Sequence, residues 1–481
     1  MKLNKREPIS MKDFNAMMKY PKPEGLKEVR HPLVGDYDNV WYEYVPKSYT
    51  GKKKVPLVLQ IHGGGWGGKQ CAYTHYDHYT AEQEEFIVVY PDSPNFERWL
   101  CNLEDCDYIT KLIQHMATRY EIDLSRVYIQ GLSNGDMMTM CYSLNCPLKL
   151  AGAGNITGAL PESMVLYEPL GPVPIAQMRG EKDIDFPHMD KDWSDPYSVK
   201  EGANDYDRKL WMRVNEVHSI PKIHIHGKDN FVMYTGEKAD ILYWEVKDQG
   251  HLQPPHLMQV FWEYLYSAYS RVDGRLVKGK PKKVFQGDED SFAIAVGSRD
   301  VYINGKIETM DMLPSAWTIH VYPSNQLKPE LPDVGEMRNT DAIYAPIGLL
   351  ERVYGAKITL VNGGDEARVE LSDGKEIVFL DQSLTVYINR EVFGLNKPSM
   401  YIDGAFYIPV RDVMAELFNS FVCVVNDVVY VSKHYVDLTR GTARIIKEIL
   451  QVPVFEKSFP QTSGLKKEDA ENMSVEKGGE M

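Results

Sequence analysis

The chain has 481 residues, 43% hydrophobic and 25% charged, with a formal net charge of −14. That length suggests two or three domains, and the acidic balance disfavours nucleic acid or an anionic membrane as a main partner. No apolar run approaches the length of a membrane span, and the opening MKLNKREPISMKDF shows no apolar core of a signal peptide, although a leader removed earlier stays open.

Residues 1–34 read as an N-terminal extension. From about 40 to 270, short apolar runs (VPLVLQI, EFIVVY, RVYIQ, LAGAGNI, PVPIAQM, DILYWEV) alternate with helix-length stretches. That alternation predicts an α/β domain over 35–272, built on a mostly parallel sheet flanked by helices.

Directly after VPLVL comes QIHGGGWGG. Glycines let the backbone turn its N–H groups toward a substrate, and a glycine loop after the third strand fits an oxyanion loop of the HGGG type. Its donors are expected to be the amides of Gly64 and Gly65, joined by that of Asn134. THYDH follows, with His75, Asp77 and His78. A metal site there is disfavoured because no third ligand group is evident, so a solvated or substrate-lining stretch is expected. Trp66, Tyr73, Tyr76 and Trp99 are candidates to line an aromatic acyl pocket, with packing as the equal alternative. Cys101/Cys106 and Cys141/Cys146 share a C-x4-C spacing that does not match common zinc patterns. Buried free thiols are favoured over a disulfide.

RVYIQGLSNGDMMTM, residues 126–140, holds Gly131-Leu132-Ser133-Asn134-Gly135, a G-x-S-x-G pattern. Val127-Tyr128-Ile129 suits a buried strand, and Asp136–Leu144 suits a helix with Asp136 in its first turn. Strand, sharp turn and helix are the context a nucleophile elbow needs, which nominates Ser133. After the strand PVPIAQM, RGEKDIDFP offers Asp183, with Asp185 as fallback. HIH (His224, His226) reads as a structural strand pair. After DILYWEV, DQGH supplies His251 as general base, with His256 the weaker competitor. The order Ser, Asp, His is that of α/β-hydrolases. Asp229, in IHGKDN, is a decoy. Only 21 residues separate it from His251, too few for the helix and strand required, whereas Asp183 leaves 67, including the helical NDYDRKLWMRVNEV.

A helix is expected over LMQVFWEYLYSAYSRV, then a polar linker over 273–289. Residues 290–440 repeat themselves. DVYINGK at 300–306 returns as TVYINRE at 385–391. AIYAPIGLLERVYGAKITLV, from Ala342, returns as AFYIPVRDVMAELFNSFVCVV, from Ala405, with 22 extra residues before the proline of the first copy. Each unit reads as a strand pair, a Pro-started helix and a hairpin, giving an α+β accessory region of two repeated units. It resembles the copper amine oxidase N-terminal-like domain, a module of bacterial surface proteins. No metal-ligand cluster is found in it, and His320 and His434 read as surface residues. A helix and a disordered tail are expected over 441–481.

RVYIQGLSNGDMM, HGGGWGG, FIVVYPD, GNITGALPE, RGEKDIDFP and DQGH together resemble the poly(3-hydroxybutyrate) depolymerase-type and feruloyl esterase-type hydrolases of carbohydrate esterase family one. The resemblance spans about 35–270. It implies an α/β-hydrolase whose Ser-His-Asp triad falls on Ser133, His251 and Asp183. This chain departs from the pattern in three ways: Gly135-Asp136 where the family has two glycines, Arg179-Gly180 where it has His-Gly, and no aromatic after His251.

The expected function is therefore a serine carboxylesterase without cofactor or metal, acting on feruloyl or acetyl esters of plant polysaccharide. The alternatives are a polyhydroxyalkanoate or small-ester hydrolase and, in another class, a surface-binding protein with an inactive hydrolase domain. The expected partner is an ester substrate, with polymer or cell-surface contact through the repeats. A secreted or cell-surface location is suspected from those repeats alone.

Overall fold

A computed structural model describes residues 22–95, 98–160, 168–186, 203–321 and 338–452. They divide into two compact units: one ends at Ser219 and resumes over Val232–Phe285, while the other takes Ile220–Phe231 and continues from Gln286. The hydrolase-like region is thus interrupted, where the sequence suggests one unbroken stretch.

The strands in chain order are β1 (Lys27–His31), β2 (Asn39–Tyr44), β3 (Val55–Ile61), β4 (Ile87–Pro91), β5 (Ile122–Leu132), β6 (Gly152–Ile156), β7 (Ile175–Gly180), β8 (Lys222–His226), β9 (Asp229–Tyr234) and β10 (Ile241–Val246). They form one sheet in the order β1-β2-β4-β3-β5-β6-β7-β10-β9-β8. From β4 through β10 the neighbours pair parallel, while β2 is antiparallel to both β1 and β4. Every residue of β3, β4, β6 and β7 is buried, as a sheet covered on both faces requires.

The helices are α1 (Gly68–Thr74), α2 (Asp77–Glu84), α3 (Leu103–Arg119), α4 (Asn134–Asn145), α5 (Ala203–Val214) and α6 (Leu257–Tyr264). In α3, the Asn102 side chain caps the Asp105 amide, Glu104 and Asp105 sit in the first turn, and Arg119 sits in the last, all favourable to the helix dipole. Its buried stripe of Cys106, Ile109, Ile113 and Met116 faces the core. Glu43, fully buried on β2, accepts hydrogen bonds from the Trp41 indole, the Arg119 guanidinium and the Tyr120 hydroxyl. A buried carboxylate needs such a full set of donors.

The closing helix is shorter than its sequence suggests. It stops at Tyr264, a 3-10 turn covers Tyr266–Ala268, and Tyr269–Val272 (β11) pairs antiparallel with Arg275–Lys278 (β12). Asp273 and Gly274 both take positive φ at the hairpin tip, the geometry for which Asp-Gly is suited. Arg271 draws this hairpin inward: its guanidinium donates to the carbonyls of Leu150 and Pro172 at 2.7 Å each. The expected linker therefore begins with a built hairpin.

The second unit holds two antiparallel sheets. The five-stranded one runs Lys306–Thr309, Asp300–Ile303, Phe292–Ala295, Val428–Ser432, Phe421–Val425, and the other has eight strands. In the first copy of the repeat, Arg338–Pro346 leads into a helix over Gly348–Tyr354 and a strand over Lys357–Val361. In the second, Ala405–Pro409 leads into helical turns to Leu417 and a strand over Phe421–Val425. The final strands of the two copies lie in different sheets. His320 lies on the strand Ser315–Val321. The helix Arg440–Ile449 belongs to this unit, and the tail beyond residue 452 lies outside the described residues.

The segment Ile220–Phe231 is tied into the second unit by polar contacts. The Ile223 amide donates to the Tyr302 hydroxyl, the Ile225 amide to Asp288, and Asn230 exchanges hydrogen bonds with Asp437 and Thr439. His224 faces Asp288 at 2.5 Å, and His434, half-exposed rather than a free surface group, contacts the Ile225 carbonyl at 2.7 Å. Ending the chain at Phe285 removes these partners. Each orphaned buried polar group costs about 1–3 kcal/mol, so the shortened chain is expected to melt well below the parent in a circular dichroism scan. Equal melting temperatures would contradict this account.

Candidate active site

The site is set by the carboxyl ends of β3, β5, β7 and β10. β5 ends at Leu132, and Ser133 takes φ 60, ψ −119 before α4 begins. A non-glycine residue held there stores strain on the order of 1–3 kcal/mol, which recurs at functional sites. Hydrogen bonds hold the turn: the Ser133 amide donates to the Ile156 carbonyl at 2.9 Å and the Met137 amide to the Ser133 carbonyl at 3.1 Å. Gly131 and Gly135 are required because a Cβ on the first would overlap the Gly135 carbonyl, and one on the second would lie 2.6 Å from the His62 carbonyl. Among the described residues, Ser133 Oγ makes no hydrogen bond, and the residue is partly exposed.

The glycine loop lies against this elbow. A Cβ on Gly63 would sit 3.4 Å from Ser133 Cβ, and one on Gly64 3.7 Å from Asn134 Cβ. Gly64 and Gly65 are exposed, and Gly65 takes φ 73. His62, which the sequence reading passed over although it opens the HGGG motif, anchors the loop. Its Nδ1 faces the Gly63 carbonyl at 2.8 Å and its Nε2 accepts from the Ser93 amide at 3.0 Å. Burial lowers its pKa to about 4, so the ring is a neutral strut.

Trp99 is not a pocket wall. It is buried, its indole donates to the His62 carbonyl, and its backbone exchanges two hydrogen bonds with the Asn134 side chain. Trp66, Tyr73 and Tyr76 are each half-buried on or beside α1, with the Trp66 ring 6.2 Å from His75. His75 and Asp77 are buried rather than solvated, and burial takes His75 down to about 3.

Asp183 and His251 meet. The loops after β7 and β10 touch through their backbones: the Lys182 amide donates to the Gln249 carbonyl at 2.7 Å, and a Cβ on Gly180 would collide with Gly250. Asp183 Oδ2 lies 2.8 Å from His251 Nδ1, while Oδ1 accepts from the amides of Asp185 and Phe186. Burial alone would raise this carboxyl, but its hydrogen bond to His251, that ring's charge and the two amides hold it below the usual range. A carboxylate only accepts, so Nδ1 carries the proton and Nε2 is left as a base. The Phe186 ring stacks on the imidazole at 5.7 Å. Asp185 approaches Nδ1 at 3.8 Å. Asp229 instead opens β9, and His256 precedes α6. Asp183, Asp185 and His251 are also close enough to share a cation, their ligand atoms lying within 4.8 Å, but a metal would occupy the Nδ1 that Asp183 holds.

Two departures from the family pattern are each other's neighbours. The Arg179 guanidinium lies 3.9 Å from Asp136 and 3.7 Å from Asp207, all three being buried. Asp136 Oδ2 accepts from the Gly158 amide, and Asp207 accepts from the Leu160 amide with both oxygens. The two carboxylates thereby fix the loop after β6, whose Gly158 is so close to the elbow that a Cβ would stand 2.7 Å from the Ser133 carbonyl.

The family description BD-FAE matches residues 44–147. The chain is similar to a bifunctional acetylxylan esterase/xylanase of Neocallimastix patriciarum, 30% identical over 143 residues, covering 29% of this chain and 21% of that one. It is similar to feruloyl esterase B of Neurospora crassa, 31% identical over 117 residues, covering 22% and 39%. The chain therefore spans well under half the length of these curated relatives. Among solved structures it aligns with an acetyl xylan esterase from Aspergillus awamori at 16% identity and TM-score 0.38, covering 49% of this chain and 97% of the other.

Burial raises the Asp136 carboxyl to about 7, against the pull of Arg179, the Gly158 amide and His251. The folded state then binds this proton more tightly than the unfolded chain, so the associated stability is full in acid and is lost as pH rises from about 4 through 7. Asp136→Asn is expected to flatten that part of the fall when urea unfolding is followed between pH 4.5 and 7.5. An unchanged slope would count against a protonated Asp136.

Proposed function

We propose that the first unit is a serine carboxylesterase of the α/β-hydrolase class, acting on acetyl or hydroxycinnamoyl esters carried by plant polysaccharide. The observation that carries this reading is the Asp183–His251 hydrogen bond, in loops that follow strands of the same sheet as does the strained Ser133 turn. The esterase names of the relatives matched over this region support the same chemistry.

In this reading Ser133 Oγ attacks the ester carbonyl while His251 Nε2 takes its proton. The oxygen's new negative charge is held by the amides of Gly64 or Gly65 and Asn134, where preorganised donors are most effective. The histidine then protonates the departing alcohol, leaving an acyl group on Ser133. Water, deprotonated by the same imidazole, releases the acid and restores the serine. Asp183 keeps the ring in its Nδ1–H form throughout. Serine and histidine often draw together only when substrate is bound, which accommodates the unengaged Oγ. Trp66 and Tyr73 are assigned to the acyl side. The second unit is assigned to presenting polymer, in keeping with its resemblance to surface modules.

Ser133→Ala is expected to abolish nitrophenyl acetate turnover and fluorophosphonate labelling, with the circular dichroism spectrum unchanged. Asp183→Asn should lower turnover by about 10⁴-fold through the wrong imidazole tautomer, whereas Asp229→Asn should cost little. Unimpaired labelling of Ser133→Ala, or the reverse ranking of the two aspartates in one kinetic series, would refute the assignment. A parent chain that takes no label would favour a binding protein with an inactive hydrolase unit.

A further inference from the structure

A second concavity lies in the first unit, off the triad residues, with a volume of about 370 Å³. Its walls extend the two loops already described. Tyr76 and Tyr79 come from the stretch after α1, the helix that starts beyond the glycine loop, and Pro255 and His256 follow His251 by four and five residues.

Its chemistry is specific. The Tyr76 and Tyr79 rings lie 6.1 Å apart with planes 24° from parallel, and Tyr79 is 61% exposed. Tyr76 reaches this position through a left-handed backbone, φ 61, ψ 13, which a bulky residue rarely adopts. The polar side chains among the lining residues are Thr80, Gln83, Gln259 and His256, with the two tyrosine hydroxyls. No carboxylate, ammonium or guanidinium is among the residues lining it.

We propose that this cleft is a subsite for a neutral sugar chain, which the two tyrosines receive on their faces. Pyranose rings present C–H groups on their flat faces and hydroxyls around their edges. Stacked tyrosines with a wet hydroxyl end suit the faces, and amides, which both donate and accept, suit the edges. A lining without lysine or arginine, on a chain of net charge −14, selects against anionic polymers. A polyester chain offers only acceptors and would leave the amide oxygens of Gln83 and Gln259 without donors from the ligand. The glycan backbone would lie here while its ester reaches Ser133. The inference deepens the esterase reading and rests on it for the choice of polysaccharide.

The test separates the two. Xylohexaose, which carries no ester, is titrated calorimetrically into the full chain bearing Ser133→Ala, with a hydroxybutyrate trimer as second probe. Saturable xylohexaose binding, weakened tenfold or more by Tyr79→Ala and by Gln83→Ala, is expected. Both side chains are exposed, so unchanged melting temperatures check that the variants fold. No binding up to millimolar xylohexaose, binding indifferent to both substitutions, or binding of the trimer alone would each overturn the proposal. Nitrophenyl acetate turnover by the parent decides the esterase reading independently: activity without glycan binding sinks the subsite only, and glycan binding without activity sinks the esterase reading only.

Discussion

Everything at the candidate site depends on one close approach between backbones, where the first turn of α4 meets the end of β3. At Gly131 and Gly135 there is no volume for even a methyl group, because carbonyls of Gly135, Ile61 and His62 already fill it. This contact forces Ser133 into a conformation with positive φ, since the chain must reverse within one residue to start a helix against the strand it has just crossed. The same approach seats Gly63 and Gly64 beside the elbow. The proposed nucleophile and the proposed amide donors are therefore not independent placements. The neutral His62, held between Ser93 and Gly63, keeps the loop at that distance without introducing a charge beside the elbow.

Beneath the elbow runs a buried line of charge, Asp136, Arg179 and Asp207. The guanidinium's three nitrogens have no hydrogen-bond partner among the described residues. Such ion pairs rarely add stability, because desolvation offsets their attraction, yet removing one partner leaves a stranded charge. What the line achieves is geometric: its carboxylates grip the amides of Gly158 and Leu160 and so define the floor on which Ser133 stands.

The sheet was legible because its strands are short, wholly apolar and separated by helix-length polar segments, and the meeting of Asp183 with His251 follows from chain order and the length of chain between them. Three things were not legible. The Asp136–Arg179 contact joins residues 43 positions apart, and neither carries a local signal of the other. Trp99 looked like a pocket aromatic because sequence shows a ring without its burial, which the Asn134 and His62 hydrogen bonds determine. The run LYSAYSRV has a helical composition, but the Arg271 contacts and the Asp-Gly turn make its last four residues a strand. In the last two cases tertiary partners overrode local composition.

The assignment of Ile220–Phe231 to the second unit has a consequence for how the chain is made. Synthesis proceeds from the N-terminus, and domains generally fold as they emerge. Here the segment Ile220–Phe231 leaves the ribosome before its partners in the second unit exist to receive it. Asp288 and Tyr302 follow within about eighty residues, but Asn230 waits for roughly two hundred further residues, at about 5–20 residues per second, before Asp437 and Thr439 reach it. The interval of ten seconds or more is a window in which a holdase can bind or neighbouring nascent chains can associate.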